Sequence, residues 1–120
     1  MTLSGPVNPN QLPGTDDIPY VIIREKTITD NNIIAVLFSG DGGWYSFEQS
    51  ISGHLAERGI PVLGIDTKKY FWNRKTPEKT ASDITRLLTY YGKEWNKPRF
   101  MIIGYSLGAE IVPFVLSRLP

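Results

Sequence analysis

Gly104-Tyr105-Ser106-Leu107-Gly108 sets a serine between two glycines, directly after an apolar run (100–103) and directly before a helix-like pattern. In that setting G-x-S-x-G is the sharp strand-to-helix turn that exposes a nucleophilic hydroxyl. The turn strains its central residue, so the positions two before and two after must be small. Gly104 and Gly108 meet that need, and Ala109 adds room. A serine held this way attacks an acyl carbon once a base takes its proton. The plainer reading is a tight βα turn without chemistry.

Two other stretches carry complementary groups. An acyl-transfer transition state needs backbone N–H donors aimed at the developing oxyanion. One donor is the residue after the nucleophile, here Leu107, and the other comes from a loop after an earlier strand. Ser39-Gly40-Asp41-Gly42-Gly43-Trp44 is such a loop, with Asp41 and Gly42 as candidate donors. It also reads as a glycine-rich turn with no ligand. Gly40-Asp41-Gly42 begins like a dinucleotide-binding G-x-G-x-x-G, with Asp66 where a ribose-binding acid would sit, but Tyr45 occupies the third glycine position and would obstruct helix packing.

The third stretch runs from Asp66 to Lys75 and mixes aromatics with cations. Tyr70 and Trp72 beside Lys68, Lys69 and Arg74 make a candidate wall for a substrate with an apolar part and an anionic head. Asp66 opens this stretch, more as a cap than as a catalytic acid. The alternative is a loop whose aromatics cover the sheet edge and whose cations are solvated.

The chain's one histidine, His54, falls three residues after Ile51 on a predicted flanking helix, away from strand ends. It reads as structural or partly exposed, not as the base for Ser106. Asp83, between Lys79 and Arg86, reads as a surface helix pair. No cluster of His, Asp or Glu has metal-ligand spacing, so neither metal nor cofactor is expected.

These residues need elements to position them. A short β-branched run at 20–25 predicts a strand, and 29–32 a turn. The continuous apolar run 33–40 predicts a strand buried on both faces. A helix over about 46–58 places Phe47, Ile51 and Leu55 on one face, with Gly59 as its stop and Pro61 opening the next strand. That strand ends at Asp66, and a loop leads to Thr76-Pro77, an N-cap with proline at the first helical position. The helix that follows buries Ala81, Ile84, Leu88 and Tyr91 by spacing and stops near Gly92. Residues 99–105 form another apolar strand, and Ser106 opens the last helix, which Pro113 should kink. Alternating strands and helices predict parallel βαβ units in a doubly wound sheet. Sites in such sheets lie past the carboxyl ends of the strands, where all three stretches converge.

Bulk properties narrow the classes. A chain of 120 residues with net charge +1 supports one domain, without general nucleic-acid affinity or an acidic tail. With no cysteine, disulfides and thiolate metal sites are excluded. The apolar runs fall well short of the ~20 residues of a membrane span. The first 18 residues, rich in Pro, Gly, Asn and Asp, lack a signal-peptide pattern and read as a disordered leader or linker.

Taken in order, FSGDGGW, PVLGIDTKKYFW, RKTPEKTASDI and FMIIGYSLGAEIVPFVLSRLP resemble the bacterial virulence protein VirJ and its AcvB relatives, from about Ile33 onward. The resemblance implies an α/β-hydrolase fold and a periplasmic or secreted serine hydrolase, AcvB-like members acting on aminoacylated phosphatidylglycerol. Ser106 carries over as nucleophile, with Leu107 and Asp41 or Gly42 as the oxyanion loop. An ester or aminoacyl-lipid substrate, peripheral membrane contact and no nucleic acid are the expected partners. α/β-Hydrolases carry their acid and histidine after later strands. Residues 19–120 are therefore expected to be the N-terminal portion of such a domain: a three-layer αβα arrangement of mostly parallel sheet and flanking helices, lacking the catalytic acid and His. Its last strand would present an open edge that favours self-association. The rival expectation is a non-catalytic partner-binding domain linked to secretion or virulence.

Overall fold

The computed structural model describes residues 18–40, 42–73, 75–105 and 107–119. Asp41, Arg74, Ser106 and all but the last residue of the expected leader lie outside the described residues. That last residue, Ile18, is buried in the core.

Among the described residues four strands form one mixed sheet in the order β1-β3-β2-β4. β2 (Ile33–Phe38) pairs in parallel with β3 (Val62–Ile65) on one side and β4 (Arg99–Gly104) on the other. β1 (Tyr20–Ile23) joins β3 antiparallel, the one departure from a parallel sheet, and is shorter than the run at 20–25 suggests. β4 is the terminal strand on its side, with Phe100 exposed.

Side chains of β2 alternate between two cores, as a strand covered on both faces requires. Ile34, Val36 and Phe38 pack with Ile84, Leu87 and Tyr91 of α3 (Pro77–Glu94) and Val115 of α4 (Leu107–Leu116). Ala35 and Leu37 pack with Ile51 and Leu55 of α1 (Ser46–Glu57). So α1 covers one face and α3 with α4 the other, which makes the three layers. Among the described residues no helix is long and apolar enough to cross a membrane.

α3 begins as its sequence indicates. Thr76 Oγ1 accepts from the Lys79 N–H at 3.0 Å, and Pro77 occupies the first turn. It runs past Gly92 to Glu94, and the chain turns at Asn96 with φ 53°. Four expectations need correction. The most buried positions of α1 are Glu48, Ser52 and Ala56, Ile51 and Leu55 pack half-buried against the core, and Phe47 is exposed. Thr67–Tyr70 is a short helix, α2, where a loop was expected, since the Asp66 carboxylate caps the Lys69 N–H at 3.0 Å. Tyr70 is not a substrate wall: its ring is 1% exposed, and its hydroxyl donates to Asp83 Oδ2 at 2.5 Å. Asp83 pairs with Lys79 at 2.8 Å as foreseen, yet it is buried between α3 and α2 rather than on the surface.

Candidate functional site

Adjacent strands β2 and β4 end level, Phe38 opposite Gly104. From there the chain leaves in opposite directions, into α1 on one face and α4 on the other. The crevice between two such loops is the topological switch point where ligands of open α/β sheets bind. β4 and α4 are separated by Tyr105 and Ser106 alone. Tyr105 donates its N–H to Phe38 O at 3.2 Å, which ties the start of the turn to the end of β2. Ser106 itself lies outside the described residues; Leu107 is the first residue of α4.

The loop after β2 is held at several points. Gly43 adopts φ 98°, a conformation that glycine enters without steric cost, and its N–H reaches Gly40 O at 3.1 Å to close a tight turn. Gly42 is exposed at the tip of that turn. Next to it, the Trp44 indole lies flat over the sheet at Gly64, where any Cβ would run into the ring. The indole Nε1 donates to Gln49 Oε1 at 2.8 Å, fixing the loop to α1. Ser39, fully buried, accepts the Thr67 N–H on its Oγ at 2.8 Å and donates to Gly40 O at 3.2 Å. Hence the loops after β2 and β3 are joined through one hydroxyl.

Between those loops is an open cleft of about 480 Å³, walled by Gly42, Tyr45, Asp66, Lys68, Lys69 and Trp72. Of the residues singled out from sequence, the structure brings five together here: Gly42, Asp66, Lys68, Lys69 and Trp72. Asp66 is half-buried and engaged as the cap of α2. Both lysines are exposed, and so is Trp72. Tyr70 points away into the core, and Asp41 and Arg74 lie outside the described residues. A further aromatic pair flanks the serine turn, Phe47 and Tyr105 with ring centroids 4.2 Å apart. An equally large cleft, about 490 Å³, opens at the amino ends of β2 and β4 and holds none of these groups.

His54 is exposed in the last turn of α1. α1 starts at the crevice and runs antiparallel to the strands, so eight residues at ~1.5 Å rise put His54 roughly 12 Å down the helix. That places His54 away from the crevice end of the sheet. Among the described residues no group of His, Asp or Glu is arranged to hold a metal ion.

Sequence reasoning missed Ser39, Trp44 and Glu48 as the loop's supports. Only Glu48 carries a readable signal, a glutamate at the third helical position, where it can reach back to the cap N–H.

A family model described as bacterial virulence protein (VirJ) matches residues 32–120, a span that includes all three loops. No curated protein matches the chain.

Proposed function

Because the chain belongs to the bacterial virulence protein (VirJ) family, we propose that it carries the nucleophile and oxyanion loop of a serine hydrolase of the α/β-hydrolase type, an esterase or lipid hydrolase. The observation that carries this reading is the crevice between the β2 and β4 loops. G-x-S-x-G falls where only two residues join β4 to α4, the strand-turn-helix context that the motif needs. Ser106 attacks the acyl carbon. The N–H of Leu107 at the start of α4 and those of Asp41 or Gly42 across the crevice stabilise the oxyanion. Lys68, Lys69 and Arg74, with Trp72 beside them, receive an anionic head, and aminoacyl-phosphatidylglycerol is one substrate of that chemistry, reached by peripheral membrane contact in a periplasmic or secreted setting. If Lys68→Ala with Lys69→Ala left binding to anionic vesicles unchanged, the cationic wall would have no such role.

The test is labelling of the full-length protein, with any acid and histidine that later strands supply, by a fluorophosphonate probe, which reacts with activated serines. Labelling that Ser106→Ala abolishes supports the reading; labelling that survives the substitution sinks it. One observation favours a second reading, a partner-binding domain that retains the turn for its shape: among the described residues β4 is the last strand on its side of the sheet, with Phe100 exposed. On that reading Ser106→Ala leaves partner binding intact and the unsubstituted chain takes no label.

A further inference from the structure

Glu48 is a carboxylate 4% exposed, and among the described residues it is held by backbone N–H groups. A charged group out of water is costly unless hydrogen bonds replace its hydration. Here they do. Glu48 Oε1 accepts the Tyr45 N–H at 3.1 Å, and Oε2 accepts the Gly40 N–H at 3.2 Å. The first bond is an ordinary helix-start contact, one that exposed glutamates make at the same position. The second is not, because it reaches across the loop to the residue at its far end. One carboxylate thus spans both ends of the segment 40–45 and closes it from beneath. The positive end of α1, whose first turn holds Glu48, favours the charge in that place.

We infer that Glu48 is a positioning residue: its carboxylate clamps Gly40 to Tyr45 and so fixes the direction of the N–H donors at the loop tip. The inference rests on the hydrolase reading for its catalytic consequence, but not for the clamp itself. Donors that stabilise an oxyanion must be in place before charge develops. A tip residue gains no such order from its own side chain when it is glycine, as Gly42 is. Closure at the base supplies it. Because Ser39 binds Gly40 O and the Thr67 N–H, the same clamp also sets the distance between the loop and the α2 wall.

Glu48→Gln keeps the size and removes one acceptor. Its amide NH₂ must then face a backbone N–H, so one of the two bonds is lost while the helix start survives. Two readouts on the full chain separate structure from catalysis. Amide hydrogen exchange and chemical shifts at Gly40, Gly42, Gly43 and Tyr45 report the clamp, and the rate of fluorophosphonate labelling at Ser106 reports donor placement. In Glu48→Gln the loop amides shift and exchange faster while those of β2 and the rest of α1 do not. The maximal labelling rate falls on the order of 10- to 100-fold, the scale of a ~1 Å misplacement, with the probe's half-saturation little changed. Glu57→Gln, exposed on the same helix, leaves both readouts as they were. Loop amides that are unchanged in Glu48→Gln overturn the clamp. Shifted amides with an unaltered labelling rate overturn its positioning role. A full-length wild-type protein that takes no label overturns the hydrolase reading and the catalytic consequence, and the amides alone then decide the clamp.

Discussion

Replacing Tyr70 by Phe tests whether α2 is anchored by chemistry in the core or merely lines a pocket. The Tyr70 hydroxyl donates to Asp83 Oδ2 at 2.5 Å, and neither side chain sees solvent. The other carboxylate oxygen bonds Lys79 Nζ at 2.8 Å, but that lysine is 47% exposed. Its contribution is therefore screened, about 0.3–0.5 kcal/mol as for other helical pairs four residues apart. The hydroxyl has no such discount. Removing a donor to a buried charge costs about 1.5–3 kcal/mol. For a domain of this size each kcal/mol lowers Tm by about 4–8 °C. The expected fall is thus roughly 6–24 °C, with a matching drop in the urea midpoint and an unchanged slope.

A double-mutant cycle isolates the pair, because Tyr70→Phe also acts through the other contacts of the ring. Combined with Asp83→Asn, the coupling should exceed about 1 kcal/mol. Lys79→Met alone should cost less than either. A Tyr70→Phe loss below about 0.5 kcal/mol would refute the reasoning. So would a normal Tm accompanied by lost vesicle or probe binding, since that is what a cleft-lining tyrosine predicts.

Other perturbations report on other links. Gly59 ends α1 at φ 85°, and a Cβ there would strike Thr29 Oγ1, so Gly59→Ala should cost more than ~1–2 kcal/mol in urea unfolding, with Thr29→Ala recovering part of it. The Glu78 carboxyl, on the first turn of α3, is held below the usual carboxylate range by its backbone hydrogen bond first and by Arg118 second. A lowered folded-state pKa gives stability that is present above the unfolded value and lost as pH falls through the folded one; Glu78→Gln should flatten that acid limb of a Tm-versus-pH curve, and an unaltered limb would count against it. Among the described residues β4 has no strand on its outer side, and Phe100 is 46% exposed. Light scattering should show self-association that Phe100→Lys reduces, whereas a clean monomer at high concentration removes the idea.

Apolar runs and helix punctuation made β2, β4 and α3 legible, since Thr76-Pro77 and the unbroken run 33–38 admit few other structures. α2 was not legible: four residues carry no period, and its stability comes from the Asp66 cap and from Tyr70 in the core. Asp83 was misplaced because Lys79 four residues earlier is the pattern of a solvated pair. Nothing within that helix betrays a tyrosine 13 positions upstream as its second partner. In α1 Ile51 and Leu55 do pack on the sheet, but Phe47, grouped with them by spacing, is exposed, and the most buried positions, Glu48, Ser52 and Ala56, lie one residue further on.

The candidate site divides along the same line. Where the loops converge follows from parallel βα topology, so Gly42, Asp66, Lys68, Lys69 and Trp72 could be grouped from sequence alone. What holds the loops could not, because Ser39 and Glu48 look like ordinary polar residues until their partners, which are backbone N–H groups, have been placed by the turns themselves. Buried polar groups are costly when unsatisfied and rigid when satisfied. The Ser39 and Glu48 side chains are buried, and their hydrogen bonds, to the Thr67 N–H and to the Gly40 and Tyr45 N–H groups, join the β2 loop to α2 and to α1 at the crevice end of the sheet. A turn that served only to reverse the chain could keep water on those N–H groups. Excluding water from them makes the loop stiff at the one end of the sheet where a ligand must be met by fixed donors, and that stiffness is what substitutions at Glu48 would expose.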